Sequence, residues 1–502
     1  MKPRGLGILP LSLCILVWAT GCSHANPNNL GSGGGGGGGG STGSVILTFH
    51  DTPPSGVTIT SFEVTVTGAV LQPGNVSLLA TPQTIELTQL QTNSVLLSTT
   101  KVAAATYTSL QITYANPKFT LLNDSGVQVS VGGQTCSAGA SCVVTAPTVT
   151  TLTNTLSATS VPPFQPLMVS STNQTLLEFD INLNDVFQPA GSFSLDFSKS
   201  GAVTVKQSTG TASKISNFNV AGQIGTVATS PSNQFTLTTS TGQTLTILAA
   251  SPVFEFARAN CTNNDFTCLA AGQIVDANVD IFSDGSLHAT EVDFDDISTT
   301  QQVSGTIVTE NNSPPTSFQM IVHNTIPPVA GLTPGTPVTV NIANNASFVI
   351  NNGLFVLPTG MTFATTSDVI VGEEVEARVA SGTSISNSAF TADRLALEQT
   401  QIQSTVTSLN TTAQPPQPSF VLTPLPPLFS QSPVSPVTQI QVLTITQGTT
   451  ALTTFEDITP LGITGLTAAQ PVTVGGFLFN TTGTIGSPTI VATTVRGEVP
   501  GT

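Results

Sequence analysis

Basic side chains are scarce in this sequence, which carries 11 Lys and Arg against 27 Asp and Glu and a formal net charge of −16. Nucleic acid binding needs a basic face that neutralises phosphates, so we expect no nucleic acid partner. The same balance argues against electrostatic attraction to anionic lipid. Charged residues of either sign make up only 8% of the chain, so the surface must be built largely from Ser, Thr, Asn and Gln.

Aromatic platforms are scarce too. The one Trp, Trp18, lies near the N-terminus, and Tyr107 and Tyr114 are the two Tyr residues. Sugars usually stack on Trp or Tyr in binding sites. A glycan-binding module is therefore an alternative function that the composition supports poorly.

Catalytic patterns are lacking as well. The histidines, His24, His50, His288 and His323, have no second His or Cys at metal-ligand spacing. Residues 39–43 fit G-x-S-x-G, but that motif works only between a strand and a helix, and here it lies in a glycine-rich run. We therefore predict a protein that is not an enzyme and has no resident cofactor, apart from the cation considered below.

The N-terminus has the pattern of a secretory signal peptide. Lys2 and Arg4 precede an apolar stretch over residues 6–18, which at about 13 residues is shorter than the roughly 20 that span a bilayer. The stretch ends in the run Ala19-Thr20-Gly21-Cys22, which resembles the lipobox of bacterial lipoproteins. Ordinary cleavage with an incidental Cys22 is the alternative.

The lipobox resemblance implies that residues 1–21 are removed and that Cys22 becomes a lipidated N-terminus. Two or more acyl chains anchor a protein stably, whereas one binds only marginally. Ser23 after the cysteine favours the outer membrane by the same resemblance. Residues 22–44, with glycines from 33 to 40, lack apolar side chains to bury and predict a disordered tether.

The remaining chain, about 460 residues, is too long for one hydrophobic core and predicts several domains. Val, Ile, Thr and Phe alternate with polar residues between Gly, Pro, Asn and Ser, which predicts an all-β fold. Phe62, Val64 and Val66, for example, share one face of a half-buried strand.

Residues 45–207 resemble a bacterial family known as domain of unknown function 4382. The likeness rests on an opening strand that leads to Asp51 and a proline-containing turn, on the V-x-V-T-x-x-x-L strand VTVTGAVL and on the strand TIELTQL. In Ala105-Thr106-Tyr107-Thr108, Ala105 replaces the Gly of the family motif. The resemblance implies a β-sandwich with Tyr107 and Leu110 in its core, and no known activity.

Three related segments follow, at residues 215–300, 301–398 and 399–502. The run Val220-Ala221-Gly222-Gln223-Ile224 recurs as Val303-Ser304-Gly305-Thr306-Ile307. Each segment then has a late strand, LAAGQIVDANVDI, VIVGEEVEARV or AAQPVTVGGFL. This course resembles domain of unknown function 5666. We predict three small β-barrels or sandwiches, the third interrupted by a long loop over residues 415–436.

Four cysteines lie beyond the N-terminal region and form two close pairs, Cys136 with Cys142 and Cys261 with Cys268. Four cysteines allow three connectivities, and the local one is natural because each pair brackets a turn-rich segment. Export favours disulfide bonds. A metal site is the alternative interpretation, but such a site would need CxxC-like spacing and further Cys or His residues nearby.

The sharpest polar cluster is acidic and falls in two alternating runs, separated by a predicted hairpin turn at Asp284 and Gly285. If the runs pair, their carboxylates line one face, where like charges repel and Ca²⁺ would stabilise them. The alternative is the solvated face of an ordinary hairpin. The candidate ligands are Asp276, Asp280, Glu291, Asp293 and Asp295.

The sequence thus predicts an exported lipoprotein of the outer membrane, on its periplasmic or its cell-surface face. We expect it to act as a non-catalytic structural or interaction module. Its membrane contact is the N-terminal lipid, and the sequence does not identify its protein or glycan partner. The alternative is a glycan- or Ca²⁺-binding protein of the cell envelope.

Overall fold

The computed structural model describes most of the chain from Thr42 onward. The tether predicted over residues 22–44 is wrong at its end, because residues 42–44 pair with residues 101–103 as the start of the first strand. The described residues are 42–52, 58–90, 95–123, 127–131, 134–138, 140–145, 148–160, 163–171, 174–188, 194–210, 214–239, 243–256, 261, 263–282, 286–297, 300–353, 355–386, 388–411, 417–430, 436–446, 452–480 and 488–497. Cys22 and the predicted signal peptide lie outside them. No helix within them has both the length and the apolar character needed to cross a membrane.

Short strands dominate the N-terminal part of the described chain, together with the single-turn helix α1 (Leu183–Val186) and a 3₁₀ turn at Leu87–Gln89. The strands are β1 (Thr42–Thr52), β2 (Thr58–Gln72), β3 (Val76–Ser77), β4 (Gln83–Glu86), β5 (Val95–Ala103), β6 (Ala105–Tyr107), β7 (Ser109–Leu122), β8 (Val129–Val131), β9 (Gln134–Cys136), β10 (Ser141–Thr145), β11 (Thr148–Thr151), β12 (Thr153–Leu156), β13 (Leu167–Val169), β14 (Gln174–Asn182), β15 (Phe187–Gln188), β16 (Ser194–Asp196) and β17 (Val203–Gly210).

Two sheets of these strands pack face to face as a β-sandwich. One has the order β17-β14-β1-β5, and the other has the order β10-β7-β2-β3 with β12 and β4 at its sides. Phe62, Val64 and Val66 of β2 are fully buried between the sheets, because alternate side chains of a strand point to the same face. Tyr107 and Leu110 are also buried in this core, so the predicted all-β sandwich is confirmed.

Three further groups of strands follow the sandwich. The first comprises β18 (Lys214–Ala228), β19 (Gln234–Thr239), β20 (Thr244–Leu248), β21 (Val253–Glu255), β22 (Gln273–Phe282) and β23 (Leu287–Ile297). The second comprises β24 (Gln302–Glu310), β25 (Ser317–Ile326), β26 (Pro337–Ile350), β27 (Glu374–Val379) and β28 (Ala389–Glu398). The third comprises β29 (Thr400–Asn410), β30 (Ser419–Leu422), β31 (Ile440–Thr444), β32 (Thr454–Glu456), β33 (Pro471–Phe479) and β34 (Thr489–Gly497).

Each group closes into the same five-stranded barrel. The second barrel has the cyclic order β24-β25-β26-β28-β27, in which β26 and β28 are parallel. The first runs β20-β19-β18-β22-β23 and the third runs β31-β30-β29-β33-β34, each closed by a parallel contact between its end strands. This strand order, with its parallel closing pair, is that of the OB-fold, a five-stranded Greek-key barrel.

The third barrel departs from its sequence prediction at one point. The long loop expected over residues 415–436 instead contains β30 and a 3₁₀ turn at Pro427–Ser430. β30 pairs with both β29 and β31. The prolines therefore flank a barrel strand rather than forming one continuous loop.

The turn before the fourth strand of each barrel explains the glycine in the late-strand motif. A 3₁₀ turn at Phe266–Cys268, Thr366–Asp368 or Ile463–Gly465 comes first. Four residues later stand Gly272, Gly372 and Ala469, with φ angles of 87°, 90° and 67°. A positive φ suits glycine best, so the third barrel keeps the backbone shape at an unfavourable residue.

The sandwich and the barrels share apolar cores. Ile46, Leu96 and Leu176 of the sandwich are buried in the cluster of the first barrel. Leu122 of the sandwich and Phe477 of the third barrel are buried in the cluster of the second. The described parts of these units therefore pack against one another through apolar contacts.

We predict that Gly372→Ala destabilises the protein by about 2–4 kcal/mol, because it adds backbone strain and overpacks the neighbouring side chain. A Cβ at this position would lie 2.3 Å from Cε1 of Phe429. Gly382 is the control, since its φ is 76° and no atom lies within 4 Å of a Cβ there. Gly382→Ala should lose only about 1 kcal/mol in urea denaturation, and equal losses for the two variants would contradict the packing argument.

Candidate functional site

The two acidic runs form neighbouring strands of the first barrel. β22 and β23 pair antiparallel, which places Asp276 opposite Asp293, Asn278 opposite Glu291 and Asp280 opposite His288. The predicted hairpin turn, at residues 284 and 285, lies outside the described residues. The pairing places like charges directly across from each other, an arrangement that is destabilising unless something offsets it.

A third strand extends the acidic face. β21 pairs parallel with β23 on its other side and places Glu255 next to Asp293. Asp276, Asp293 and Glu255 thus form a row of carboxylates across three strands, which lie about 4.8 Å apart. The sequence analysis missed Glu255. The alternation of Phe254, Glu255 and Phe256 indicates a short strand but does not indicate its partner.

The β23 carboxylates of this face are buried rather than solvated, whereas Asp276 is partly exposed. Glu291, Asp293 and Asp295 are only 5%, 8% and 3% exposed. The interpretation as an ordinary solvated hairpin face is therefore wrong. Glu255 is exposed, so the row runs from the interior of the molecule to its surface.

The second barrel covers the acidic face. Gly353, in the segment after β26, lies so close that a Cβ on it would be 2.8 Å from Oε1 of Glu291 and 3.0 Å from Oδ2 of Asp293. Arg394 of β28 donates from Nη1 to the backbone oxygen of Asp295 at 2.8 Å. Arg394 also contacts Oε1 of Glu376 through Nη2 at 2.6 Å.

Glu398, at the end of β28, adds another carboxyl to this boundary. Burial raises its pKa well above the usual range, and the charges of Glu376, Asp295 and Asp276 raise it further. Asn351 donates from Nδ2 to its Oε1 at 3.1 Å and partly offsets that rise. Sequence reasoning could not find this residue, because more than a hundred positions separate it from the acidic strands.

Asp293 is the most perturbed carboxyl of the row. Burial raises its pKa to about 8, with further contributions from Glu291, Asp276, Glu255 and Asp295. Its Oδ1 is buried and has no hydrogen-bond partner among the described residues. Near neutral pH this carboxyl is therefore largely protonated, since the site does not stabilise its negative charge.

The structure brings together four of the five predicted ligands, Asp276, Glu291, Asp293 and Asp295. Asp280 lies farther along β22, opposite His288, and does not contribute to the pKa shift of Asp293. Within the described ranges, no three His, Cys, Asp or Glu side chains are already arranged to hold a metal ion. The carboxylates thus lie near one another, but their oxygens do not converge on a common position that an ion could occupy.

Two disulfide bonds join Cys136 to Cys142 and Cys261 to Cys268, which is the local pairing expected from the sequence. The second bond brackets the 3₁₀ turn at Phe266–Cys268, which precedes β22. It therefore constrains the segment that leads into the acidic strand.

A second buried ionic contact lies between the sandwich and the second barrel. His323 of β25 bonds through Nδ1 to Oε1 of Glu374 at 2.9 Å and through Nε2 to the backbone oxygen of Thr60 at 2.8 Å. Burial disfavours the charged imidazole, but Glu374, Glu86 and the bond to Thr60 outweigh it and raise the pKa to about 9. The protonated ring donates both hydrogen bonds.

Comparisons with known proteins assign no family. No protein-family model matches the chain, and no curated protein matches it. The solved structure of drosophila Unr CSD456 is 10% identical, covers 57% of this chain and 99% of its own chain, and has a TM-score of 0.13. A TM-score this low does not indicate a shared fold. The barrel topology is therefore assigned from the strand pairing. The resemblance to the two families of unknown function stays a prediction.

We predict that replacing both Cys261 and Cys268 by Ser lowers the free energy of unfolding by about 2.5 kcal/mol, because the open loop regains chain entropy. Denaturant unfolding of the oxidised wild type and the double variant measures the difference. Thiol titration of the unreduced wild type should find no free thiol at Cys136, Cys142, Cys261 or Cys268. A reactive thiol at any of them would contradict the pairing.

We predict that His323 stabilises the protein below about pH 6.5 and that this stabilisation is lost as pH rises through about 9. The folded-state pKa is raised, so the native state holds the proton more tightly than the unfolded chain does. The difference in unfolding free energy between wild type and His323→Gln should shrink by about 3 kcal/mol between about pH 6 and pH 10. A difference that is independent of pH would contradict the assignment.

Proposed function

We propose that the protein is an exported, lipid-anchored and non-catalytic module of the bacterial cell envelope, serving as a structural or interaction scaffold. The run Ala19-Thr20-Gly21-Cys22 supports the anchor, and the glycine-rich tether would hold the folded part away from the membrane. A tether of about 22 residues of this composition has a root-mean-square reach of roughly 26 Å.

The shared apolar cores carry the scaffold proposal. Leu122 of the sandwich packs in the core of the second barrel, and so does Phe477 of the third barrel. Burying one unit's side chains in another unit's core fixes their relative positions, because protein interiors are close-packed. A body of fixed shape suits a protein that spaces or presents surfaces.

The surface favours a protein partner over a glycan. The large apolar side chains that are exposed in the described ranges are all aliphatic, and sugars usually stack on aromatic rings. These exposed residues are Val127, Leu152, Met168, Val253, Val356, Leu452 and Leu461.

One contact bears on catalysis. Oγ of Ser286 lies 2.8 Å from Nε2 of His288, two residues along the chain. The His288 ring packs on Phe282, with the ring centroids 4.1 Å apart. A nucleophile and base also need a group that orients the base and donors that stabilise an oxyanion. A local hydrogen bond at the start of β23 explains the contact with fewer assumptions.

Membrane fractionation tests the anchor. Cys22→Ala should release the protein into the soluble fraction and abolish labelling by palmitate, because the acylated thiol is removed. Cys14→Ala is the matched control, since it falls within the predicted signal peptide, and it should leave the protein in the membrane fraction. A Cys22→Ala protein that stays in the membrane fraction would refute the proposal at its base.

A further inference from the structure

The boundary between the first and second barrels concentrates carboxyl groups. Arg394 brings one positive charge to it and contacts Glu376. The carboxyl groups that meet there or influence one another's pKa are Glu255, Asp276, Glu291, Asp293, Asp295, Glu376 and Glu398. A single guanidinium can balance only one of these carboxyl groups.

Asp293 provides a second, independent observation that points to a bound ligand. It is 8% exposed, and its Oδ1 has no hydrogen-bond partner among the described residues. Buried polar atoms are normally satisfied. The unsatisfied Oδ1 lies in the middle of the carboxylate row, where a bound ligand could contact it.

The backbone around the row leaves room for the carboxylates. Gly353 has a φ of 50°, and a side chain there would collide with Glu291 and Asp293. The second barrel thus approaches the acidic strands through the one residue type that lacks a Cβ. The backbone of the second barrel at Gly353 thus lies directly against the carboxyl oxygens of Glu291 and Asp293 on β23.

We propose that Asp276, Asp293, Glu255 and Glu291 of the first barrel bind one divalent cation, best matched by Ca²⁺, at the boundary with the second barrel. Compared with the five ligands predicted from the sequence, the proposed site adds Glu255 and leaves out Asp280 and Asp295. The site does not depend on the lipid anchor.

The donor chemistry selects Ca²⁺ among common cations. All four side chains offer carboxylate oxygen, and Ca²⁺ accepts six to eight oxygen ligands at about 2.3–2.6 Å in a flexible geometry. Zn²⁺ favours Cys and His, and Mg²⁺ demands a near-ideal octahedron. Glu255 is exposed, so its side chain can rotate onto an ion without disturbing the core.

Calorimetry and thermal unfolding of the full chain, freed of metal by EDTA, test the site with Ca²⁺ alone as the probe. At about pH 8, millimolar Ca²⁺ should release or absorb heat and raise the melting temperature by a few degrees. Mg²⁺ should produce a smaller rise than Ca²⁺. An absence of heat and of any melting shift up to about 10 mM Ca²⁺ at pH 8 would overturn the proposal.

Two variants locate the site. Asp293→Asn should leave the protein folded without Ca²⁺, because Asn is close in size to Asp and the Asp293 carboxyl is largely protonated near neutral pH. It should abolish the rise caused by Ca²⁺. Glu255→Gln changes an exposed residue, so folding is not at risk, and it should weaken Ca²⁺ binding by about tenfold.

Asp265→Asn is the control in the same barrel. Asp265 caps a 3₁₀ turn by accepting from the backbone N of Thr267, and Asn caps equally well. It removes one charge away from the row and should keep the full response to Ca²⁺. If Glu255→Gln and Asp293→Asn also keep the full response, the ion binds elsewhere and the assignment is wrong.

Discussion

The parallel contact between the third and fifth strands closes each barrel, and the arrangement of the rest depends on it. In the first barrel, β23 makes this contact with β20 and also pairs with β22 and β21. Alternate residues of such a strand face the barrel interior, where Val292 and Phe294 are buried. The residues between them must face outward, which is why Glu291, Asp293 and Asp295 meet the neighbouring barrel.

Packing of the barrels against each other then changes the chemistry of those outward residues. An isolated barrel would expose the acidic face to water, where like charges are screened and the repulsion is small. The second barrel, through Gly353 and Arg394, removes that water. Desolvation is the largest cause of the raised pKa of both Asp293 and Glu398. The acidic cluster is thus a property of the joint between two barrels rather than of one hairpin.

The extent to which sequence could anticipate this structure follows from the range of each interaction. Alternation fixed the face of Phe62, Val64 and Val66, because strand periodicity is local. The V-x-G-x-I run marked the first two units and the late-strand motif marked all three, because the same turn recurs before the fourth strand. Glu398 and Gly353 join the site only through barrel–barrel packing, and Glu255 only through a parallel pairing of distant segments. Neither kind of contact leaves a periodic trace in the chain.

The second barrel packs against the sandwich at one boundary, or joint, and against the first barrel at another. At both joints stability falls as pH rises, but for opposite reasons. At the joint with the sandwich, His323 loses its proton above about pH 9, and with it the ionic bond to Glu374. At the joint with the first barrel, Asp293 loses its proton near pH 8 and becomes a buried charge among other carboxylates. Both raised pKa values make stability fall as pH rises. Loss of the His323 proton removes an attraction, whereas loss of the Asp293 proton adds a repulsion. Raising the pH therefore weakens the contacts between units, while the apolar cores of the two barrels contain neither group.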